Sequence, residues 1–421
     1  MTTRRSPPPS VAWLPGLNFF LADVRDGLGP FLGIFLMSRG WQADDIGYVM
    51  TIGGIAGMLA TTPLGALVDA SRSKRFLLAL GAVFVIMGTL ALFISSSFAV
   101  TAASQIGTGI AGAIIGPAIA GMTLGIVGQD GLAHQLGINE AWNHAGNMIS
   151  AAFAGLLGYY WGLPAVFILM GLMAVGSLAC LWKIRPQDID HSVARGLEKD
   201  AGDTSFDTSA LRVLTSSVPL LLLATTMMLF HFGNAAMLPL LGQSIVSQGL
   251  ADPSAFTAMT IVIAQLVMIP VALLAGRSAM RYGYWTLVMA AMLALPIRGL
   301  IAAYWNSPWA LIPVQLLDGI GAGLLGVALP GLVAQILRGS GHINIGLGAV
   351  TTIQGVGASL SPALAGMIAH QYGYSMAFIV LSAISSIGLF VWFFSAEVFA
   401  NHKPIYKRSD EPTRPITTIP P

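Results

Sequence analysis

Two stretches of the chain, AGNMISAAFAGLLGYYWG (145–162) and VGASLSPALAGMIAHQYG (356–373), decide the fold because they follow one pattern. Both are apolar runs with glycines at the same three places, and the second lies 211 residues after the first (356 − 145). The matching glycines are Gly146 and Gly357, Gly155 and Gly366, and Gly162 and Gly373. Gly65 and Gly276 form a fourth pair at this spacing. The sequence therefore predicts a parallel duplication of one unit.

The composition places this duplicated unit in a membrane. Charged residues make up 9% of the 421 residues and hydrophobic residues 55%, whereas soluble domains carry about 25% charged residues. The mean hydropathy is +0.76, so most of the surface must face lipid. The net charge of +2 is too small to indicate a nucleic-acid partner. The single cysteine, Cys180, excludes an internal disulfide.

Twelve apolar runs are long enough to cross a bilayer, which takes about 20 helical residues. The predicted spans are 12–38, 46–68, 76–95, 99–127, 139–161, 164–183, 216–241, 255–275, 284–305, 309–337, 343–370 and 375–395. We therefore predict an all-α polytopic membrane protein made of two six-helix bundles. The N-terminal bundle covers 1–184, a cytoplasmic linker 185–213, the C-terminal bundle 214–395 and a cytoplasmic tail 396–421.

The basic residues predict the orientation of these spans. Of 20 Lys and Arg residues, Arg25 and Arg298 lie inside spans and Arg39 lies in the first outer loop. The other 17 lie in the tails, in the linker and in the loops on the opposite side of the predicted membrane from Arg39. Because loops rich in Lys and Arg stay in the cytoplasm, we predict that both termini are cytoplasmic.

The turn after the second span reads GALVDASRSKR (65–75), with a glycine, an acid four residues later and then a basic cluster. It resembles the signature of the major facilitator superfamily at this loop. The segment GRSAMRYG (276–283) resembles a second copy in which Met280 replaces the acid. The segments ADVRDGLGP (22–30) and NEAWNHAGN (139–147) are similar to a bacterial branch. The resemblance implies a twelve-helix secondary transporter of the bacterial inner membrane, with no enzymatic activity and no cofactor.

Two positions depart from the drug–proton antiporters of this family. Those exporters carry an arginine in the fourth span and a glycine-proline pattern in the fifth, where this chain has Ala103 and Ala151. Export of a small organic molecule, such as a drug-like compound or a secreted metabolite including a siderophore, is the favoured function. Proton-coupled uptake of a small metabolite is the alternative, and a membrane-embedded sensor or enzyme is a third class. We expect a monomer with the solute, H⁺ and the lipid bilayer as its partners, and no metal site.

Ionisable groups within the first span are the strongest candidates for proton coupling. Each costs about 2.5–3.5 kcal/mol to place in a membrane helix, and Asp23, Arg25 and Asp26 lie together near the middle of the span. Burial favours the neutral carboxyl and a nearby arginine favours the charged one, a competition that suits proton exchange. Asp26 is the leading candidate because it lies deeper. A structural charge cluster is the alternative, and Glu140 in the fifth span is a further coupling candidate.

A polar stripe on the fifth span predicts the lining of a central cavity. Glu140, Asn143, His144 and Asn147 share one helix face, and such a face avoids lipid. Gln354 lies 211 residues after Asn143 and suggests a shared site.

On the seventh span, His231 and Asn234 share a face in the same way. We expect them to line the cavity as substrate-binding residues, although a lone histidine on an apolar helix often serves only packing. Methionines near the two histidines favour packing over metal transport, because Met fills irregular cores.

Two charged residues of adjacent spans predict an interaction inside the membrane. Arg298 and Asp318 lie about 10 and 13 Å from the outer ends of adjacent spans, which predicts an ion pair. We expect Asp318 to contact substrate and Arg298 to act in gating.

A cytoplasmic latch is expected from the signature residues Gly65, Asp69, Arg72, Lys74 and Arg75, with Asp69 facing the helix start near Ile343. Positive-inside anchoring explains the basic residues equally well.

The motif Gly107-Thr-Gly109-Ile-Ala-Gly112 matches a dinucleotide fingerprint, but it lies inside a predicted span and follows no strand. Glycines at this spacing inside a span favour close helix packing over nucleotide binding.

Overall fold

The structure is a computed structural model that describes residues 8–25, 28–29, 31–191, 193–195, 215, 217–337 and 343–400. Every regular element in these ranges is a helix. The first half contains α1 (Leu14–Arg25), α2 (Phe31–Ser38), α3 (Ala43–Ala70), α4 (Lys74–Ile94), α5 (Phe98–Trp161) and α6 (Pro164–Lys183). The second half contains α7 (Val218–Asn234), α8 (Met237–Ser247), α9 (Pro253–Tyr282), α10 (Tyr284–Tyr304), α11 (Leu311–Ile336), α12 (Ile343–Tyr372), α13 (Tyr374–Phe394) and α14 (Ala396–Ala400).

Eight segments in the described ranges are long and apolar enough to cross a membrane. They are α4, the first limb of α5 (Phe98–Gly128), α6, α7 with α8, α9, α10, α11 with the turn before it, and α13. The other four predicted spans coincide with α1 and α2 together, α3, the second limb of α5 (129–161) and α12.

The first and seventh spans are broken helices, which the prediction of continuous spans missed. The first is interrupted between Arg25 and Phe31, where the sequence DGLGP (26–30) combines two glycines with a proline. The seventh is interrupted between Asn234 and Met237 and continues to Ser247, beyond the predicted end at 241. The breaks fall at similar points of the two halves.

Three predicted loops are shorter than expected. The fourth and fifth spans run on as α5, and only Gly128, at φ 72°, departs from helical geometry between them. The two signature segments are mostly helical, because α3 continues to Ala70 and α9 to Tyr282. Gly65 and Asp69 therefore lie within the last turns of a helix and not in a loop after it.

The duplication predicted from the glycines is present in three dimensions. A β-carbon at Gly146 would collide with Phe19 O of α1, and one at Gly357 would collide with Met228 O of α7. The second limb of α5 thus packs on α1 as α12 packs on α7. Glycine is required at both places because the backbones touch.

The motif with dinucleotide-like spacing also serves packing. A β-carbon at Gly109 would collide with Gly53 O, so the first limb of α5 lies directly against α3. Added β-carbons at Gly319 and Gly323 would lie 2.7 and 3.0 Å from Ala264 O and Met268 O, so α11 also packs closely on α9.

The ends of the helices form two faces. We call the end with the turn 71–73 the basic face. The N-terminal turn and the start of the linker also lie there, because Ser10 Oγ donates to Asp188 Oδ2 at 2.6 Å. Arg75 reaches the end of α6 at the same face. We call the opposite end, which carries the turn before α3, the distal face.

Candidate transport pathway

Two large interfaces join the described parts of the halves, one between α3 and α12 and one between the second limb of α5 and α9, and α2 packs on α8 in a smaller third one. Near the distal face both are closed by glycine packing. A β-carbon at Gly47 would collide with Pro362 O, and one at Gly155 would collide with the side chain of Ala258. At this depth no side chain fits between the backbones at these positions, so the two halves seal the distal face.

Polar contacts add to this closure. The Ala363 N–H donates to Thr51 Oγ1 at 3.0 Å and ties α12 to α3. His370 Nδ1 lies 3.3 Å from Asp44 Oδ1, with the two side chains 43% and 26% exposed. A pair this exposed contributes about 0–1 kcal/mol. Sequence analysis missed it because its partners are distant in the chain and lie outside the apolar parts of their spans.

The α3–α12 interface widens toward the basic face. A β-carbon at Gly54 would lie 3.0 Å from Ser359 Oγ. At Gly355 the nearest described atom would be Met58 Cγ at 3.7 Å, and at Gly65 no described atom would lie within 4 Å. The halves therefore diverge from the distal face to the basic face.

A cavity of about 520 Å³ lies in this widening, between α3, the first limb of α5 and α12. Its polar lining consists of Thr61, Gln105, Thr108, Thr351, Thr352 and Ser359. None of the described lining residues is charged. Within the described part of the chain, Thr108 Oγ1 is buried without a hydrogen-bond partner. Hydroxyl and amide groups in this arrangement suit a ligand that donates and accepts hydrogen bonds.

The predicted ion pair between Arg298 and Asp318 is present and is confirmed by the structure. Arg298 is 2% exposed, and its Nη1 also donates to Asn234 Oδ1 at 2.6 Å. One guanidinium thus connects α7, α10 and α11. Because a buried charge is costly unless it is paired, this cluster holds the three helices of the second half in register.

His144 bridges the halves at mid-depth of the other interface. Its Nδ1 lies 2.7 Å from Gln265 Oε1, which places a polar link between α5 and α9. The neighbouring members of the predicted stripe, Asn143 and Asn147, are partly exposed, and Glu140 is exposed. Gln265 was missed by sequence analysis, although a glutamine within an apolar span is itself a signal.

The remaining predicted substrate residues lie apart from one another. His231 Nδ1 lies 3.0 Å from Met227 O, one turn back in the same helix, and its ring packs on Phe230. Gln354 is on α12 beside the cavity lining, with Oε1 buried and without a partner among the described residues. The predicted residues thus form three groups: the Arg298 cluster, the His144 bridge and the α12 side of the cavity.

Two of the predicted coupling residues, Asp23 and Arg25, lie in α1 just before the break in the first span, and Glu140 lies on α5. Asp23 is partly buried in α1, and Arg25 is the last residue of that helix. Asp26 lies outside the described residues, as does the side chain of Asp69.

In this structure Lys74 and Arg75 contact their own half, and the expected pairing across the interface stays a prediction for the state in which the basic face closes. Lys74 is 1% exposed and donates to Val68 O at 2.6 Å. Arg75 donates to Leu181 O at 3.0 Å. Both residues are the first of α4, and the turn 71–73 after α3 directs their side chains toward the end of α3 and toward α6.

The family follows from comparison with known sequences. A model of the Major Facilitator Superfamily matches residues 16–297 and 226–419. The chain belongs to the major facilitator superfamily. An uncharacterized MFS-type transporter of Mycobacterium tuberculosis strain H37Rv is 41% identical over 387 residues, which cover 91% of this chain and 93% of that protein. A protein of strain CDC 1551 with the same description matches equally well.

Solved structures share the superfamily fold at low identity. A point mutant of the nucleoside transporter NupG has a TM-score of 0.77 at 13% identity, covering 91% of this chain and 99% of that one. A bacterial homolog of the human lysosomal transporter Spinster, in an inward-facing and unoccupied conformation, has a TM-score of 0.71 at 13% identity, covering 96% and 100%. A D-xylose-proton symporter has 0.68 at 12%, covering 91% and 96%. These matches confirm the all-α superfamily fold. The family model and the mycobacterial relatives support a multi-pass membrane transporter.

Proposed function

We propose that this superfamily member is a proton-coupled secondary transporter that exports a small polar organic molecule by alternating access. The proposal rests on a difference between the two faces. The halves are sealed by glycine packing at the distal face, and a polar cavity separates them toward the basic face. Rocking of two similar bundles around such a cavity would exchange the open face. With the basic face in the cytoplasm, as the Lys and Arg residues predict, this is the inward-open state.

The cavity lining supports a hydrophilic solute. Its polar groups are hydroxyls and amides, and none of the described lining residues is charged. A solute held here would be selected by hydrogen bonds more than by net charge. Of the two export substrates expected from the sequence, a hydrophilic secreted metabolite fits better than an apolar drug. We propose that Asn143, His144, Asn147 and Gln354 contact it as the halves close.

Proton coupling is assigned to the break in the first span. Carboxyls of Asp23 and Asp26 near a helix break, with Arg25 between them in sequence, combine groups that favour opposite protonation states. We propose Asp26 as the proton carrier, with Glu140 as the alternative. The latch at Gly65 and Asp69 belongs to the opposite, outward-open state, in which the basic face would close.

The test uses purified protein in proteoliposomes with a pH-sensitive dye. Hydrophilic metabolites are first screened by their effect on the melting temperature, and hits are then tested for solute-driven proton flux. We expect proton flux with wild-type protein and with Asp45→Asn, an exposed acid at the distal face, and none with Asp26→Asn. Full proton-driven transport by Asp26→Asn would exclude Asp26 as the carrier.

Uptake is the second candidate, because an inward-open polar cavity also serves as the release state of a symporter and the D-xylose-proton symporter has this fold. Deleting the gene separates the two directions. An exporter's loss causes sensitivity to, or accumulation of, a compound inside the cell, whereas a symporter's loss prevents growth on one.

A further inference from the structure

A second cavity, of about 410 Å³, lies at the basic face within the first half. It is formed by the turn before α4, the first turns of α4, the end of α6 and the start of the linker, which contributes Pro186, Ile189 and His191. Arg72 and Arg75 line one side, and Phe76, Leu178 and Trp182 line the other. The proposed transport pathway does not use this cavity, because neither α12 nor α9 contributes to it.

Among the described residues, no acid neutralises the positive charge on its first side. Arg75 donates through Nε and Nη2 to Leu181 O at 3.2 and 3.0 Å, and through Nη2 to Trp182 O at 3.3 Å. These carbonyls fix the guanidinium without cancelling its charge. Arg72 is exposed, and no described carboxylate lies within 4 Å of either arginine. The start of α4, with no acid in its first turn, adds positive potential.

The second side is apolar and open to the surroundings. Phe76 is 64% exposed and Trp182 is 75% exposed, although both belong to membrane-spanning helices. Aromatic residues at a span end lie at the level of the lipid headgroups. Ala79 and Leu178 continue the apolar wall one turn deeper, toward the acyl chains.

We infer that this cavity binds an anionic phospholipid, with its phosphate against Arg72 and Arg75 and an acyl chain along Phe76, Leu178 and Trp182. Basic pockets between spans at this membrane face suit anionic headgroups. A free anion would use the arginines alone, whereas an amphiphile also covers the exposed aromatic side chains. The inference gives the two arginines of the signature a role inside their own half. Lys74 also lines the cavity, but its ammonium group already donates to Val68 O and Ser71 O, so we assign the phosphate to the two arginines.

The test is native mass spectrometry of the full-length protein in detergent, titrated with phosphatidylglycerol, phosphatidylcholine or inorganic phosphate. For wild-type protein we expect binding of phosphatidylglycerol well above that of phosphatidylcholine. Arg72→Gln combined with Arg75→Gln should weaken phosphatidylglycerol binding about 10- to 30-fold. The matched control is Arg277→Gln with Arg281→Gln, which removes two exposed cations at the basic-face end of α9. This control should leave phosphatidylglycerol binding unchanged.

Two further variants keep the test decisive. Arg72→Gln alone changes an exposed side chain and leaves the contacts of Arg75 to α6 intact, so it should fold normally and still weaken binding. Trp182→Ala should weaken lipid binding without changing charge. Equal losses in the α9 control, unchanged binding in the site variants, or full competition by inorganic phosphate would each overturn the lipid assignment.

Discussion

The interface between α5 and α9 and the interface between α12 and α3 are copies of each other that differ at mid-depth. In the first, His144 Nδ1 lies 2.7 Å from Gln265 Oε1 and links the halves. The equivalent positions in the second, 211 residues away (355 − 144 and 265 − 54), are Gly355 and Gly54. The 520 Å³ cavity opens beside these glycines. The two copies keep the same helix packing. They differ in their side chains at mid-depth, and this difference determines where a solute can bind.

Both interfaces are closed at the distal face, but the binding cavity lies in the interface between α3 and α12. Gly47 and Gly155 each bring the halves into contact without room for a side chain. The ion pair of Arg298 and Asp318 is a second asymmetry, because Met87 occupies the position 211 residues before the arginine. The predictions below alter one copy at a time, in order of expected effect.

The largest effect is expected from the buried pair that only the second half has. Arg298→Gln leaves Asp318 and Asn234 without their shared donor, and breaking a buried pair costs about 3–5 kcal/mol. The free energy of unfolding should fall accordingly, measured by denaturant titration or as a lower melting temperature. The double variant Arg298→Gln with Asp318→Asn should lose less than the sum of the single variants. Strict additivity in this cycle would refute the coupling.

Blocking closure at the distal face is expected to reduce transport about 10- to 100-fold. Gly47→Val and Gly155→Val each place a side chain where the halves touch, one in each interface. Both variants should fold, because each half keeps its own core. Transport is measured in proteoliposomes, with Gly348→Val as the control because a β-carbon there meets no described atom within 4 Å. Normal turnover by both variants would show that tight distal packing is unnecessary.

Filling the cavity is expected to lower solute affinity about 10-fold without lowering the melting temperature. Gly355→Leu has room for its side chain, since the nearest atom to a β-carbon there is 3.7 Å away. His144→Ala, at the equivalent position, removes the bridge but adds no bulk to the cavity. Calorimetric titration with the identified solute distinguishes them. A larger loss of affinity in His144→Ala than in Gly355→Leu would move the main binding site to the other interface.

The smallest effect is expected at the exposed distal pair. Asp44→Asn should shift the ratio of distal-closed to distal-open molecules by at most about 5-fold. The shift should shrink in high salt, because exposed charges are screened. Single-molecule fluorescence across the distal face measures this ratio. A salt-independent shift larger than this would mean that Asp44 has a further partner.

The sequence predicted the elements that repeat and the positions where glycine is required. Gly146 and Gly357 are identified by spacing alone, and a β-carbon at either would meet a backbone carbonyl of the first helix of its half, Phe19 O or Met228 O. The Arg298–Asp318 pair was predictable because two rare charges lay at similar depths in adjacent spans. Such features are predictable because the composition of a span, and the depth of a residue along it, follow from a single sequence and the rise of a helix.

Other features depend on contacts between distant helices. The partner of His144 is 121 residues away on α9, and no local pattern relates the two. The break after Arg25 was foreseeable from DGLGP (26–30), but hydropathy averages over it. The polar and basic residues after Val68 predict a turn for the signature, whereas α3 stays helical to Ala70. Helix ends at the membrane surface are set by packing more than by polarity.

The central claim is that the halves rock, so that opening one face closes the other. Spin labels at two exposed pairs, Asp45 with Gln371 at the distal face and Ser73 with Arg277 at the basic face, report both distances by double electron–electron resonance. The labels are introduced in a Cys180→Ser background, which removes the only native cysteine. We predict a short distal and a long basic distance in the free protein, with reciprocal changes when solute and a proton gradient are supplied. Two distances that rise and fall together, or that stay fixed during measured transport, would contradict the account.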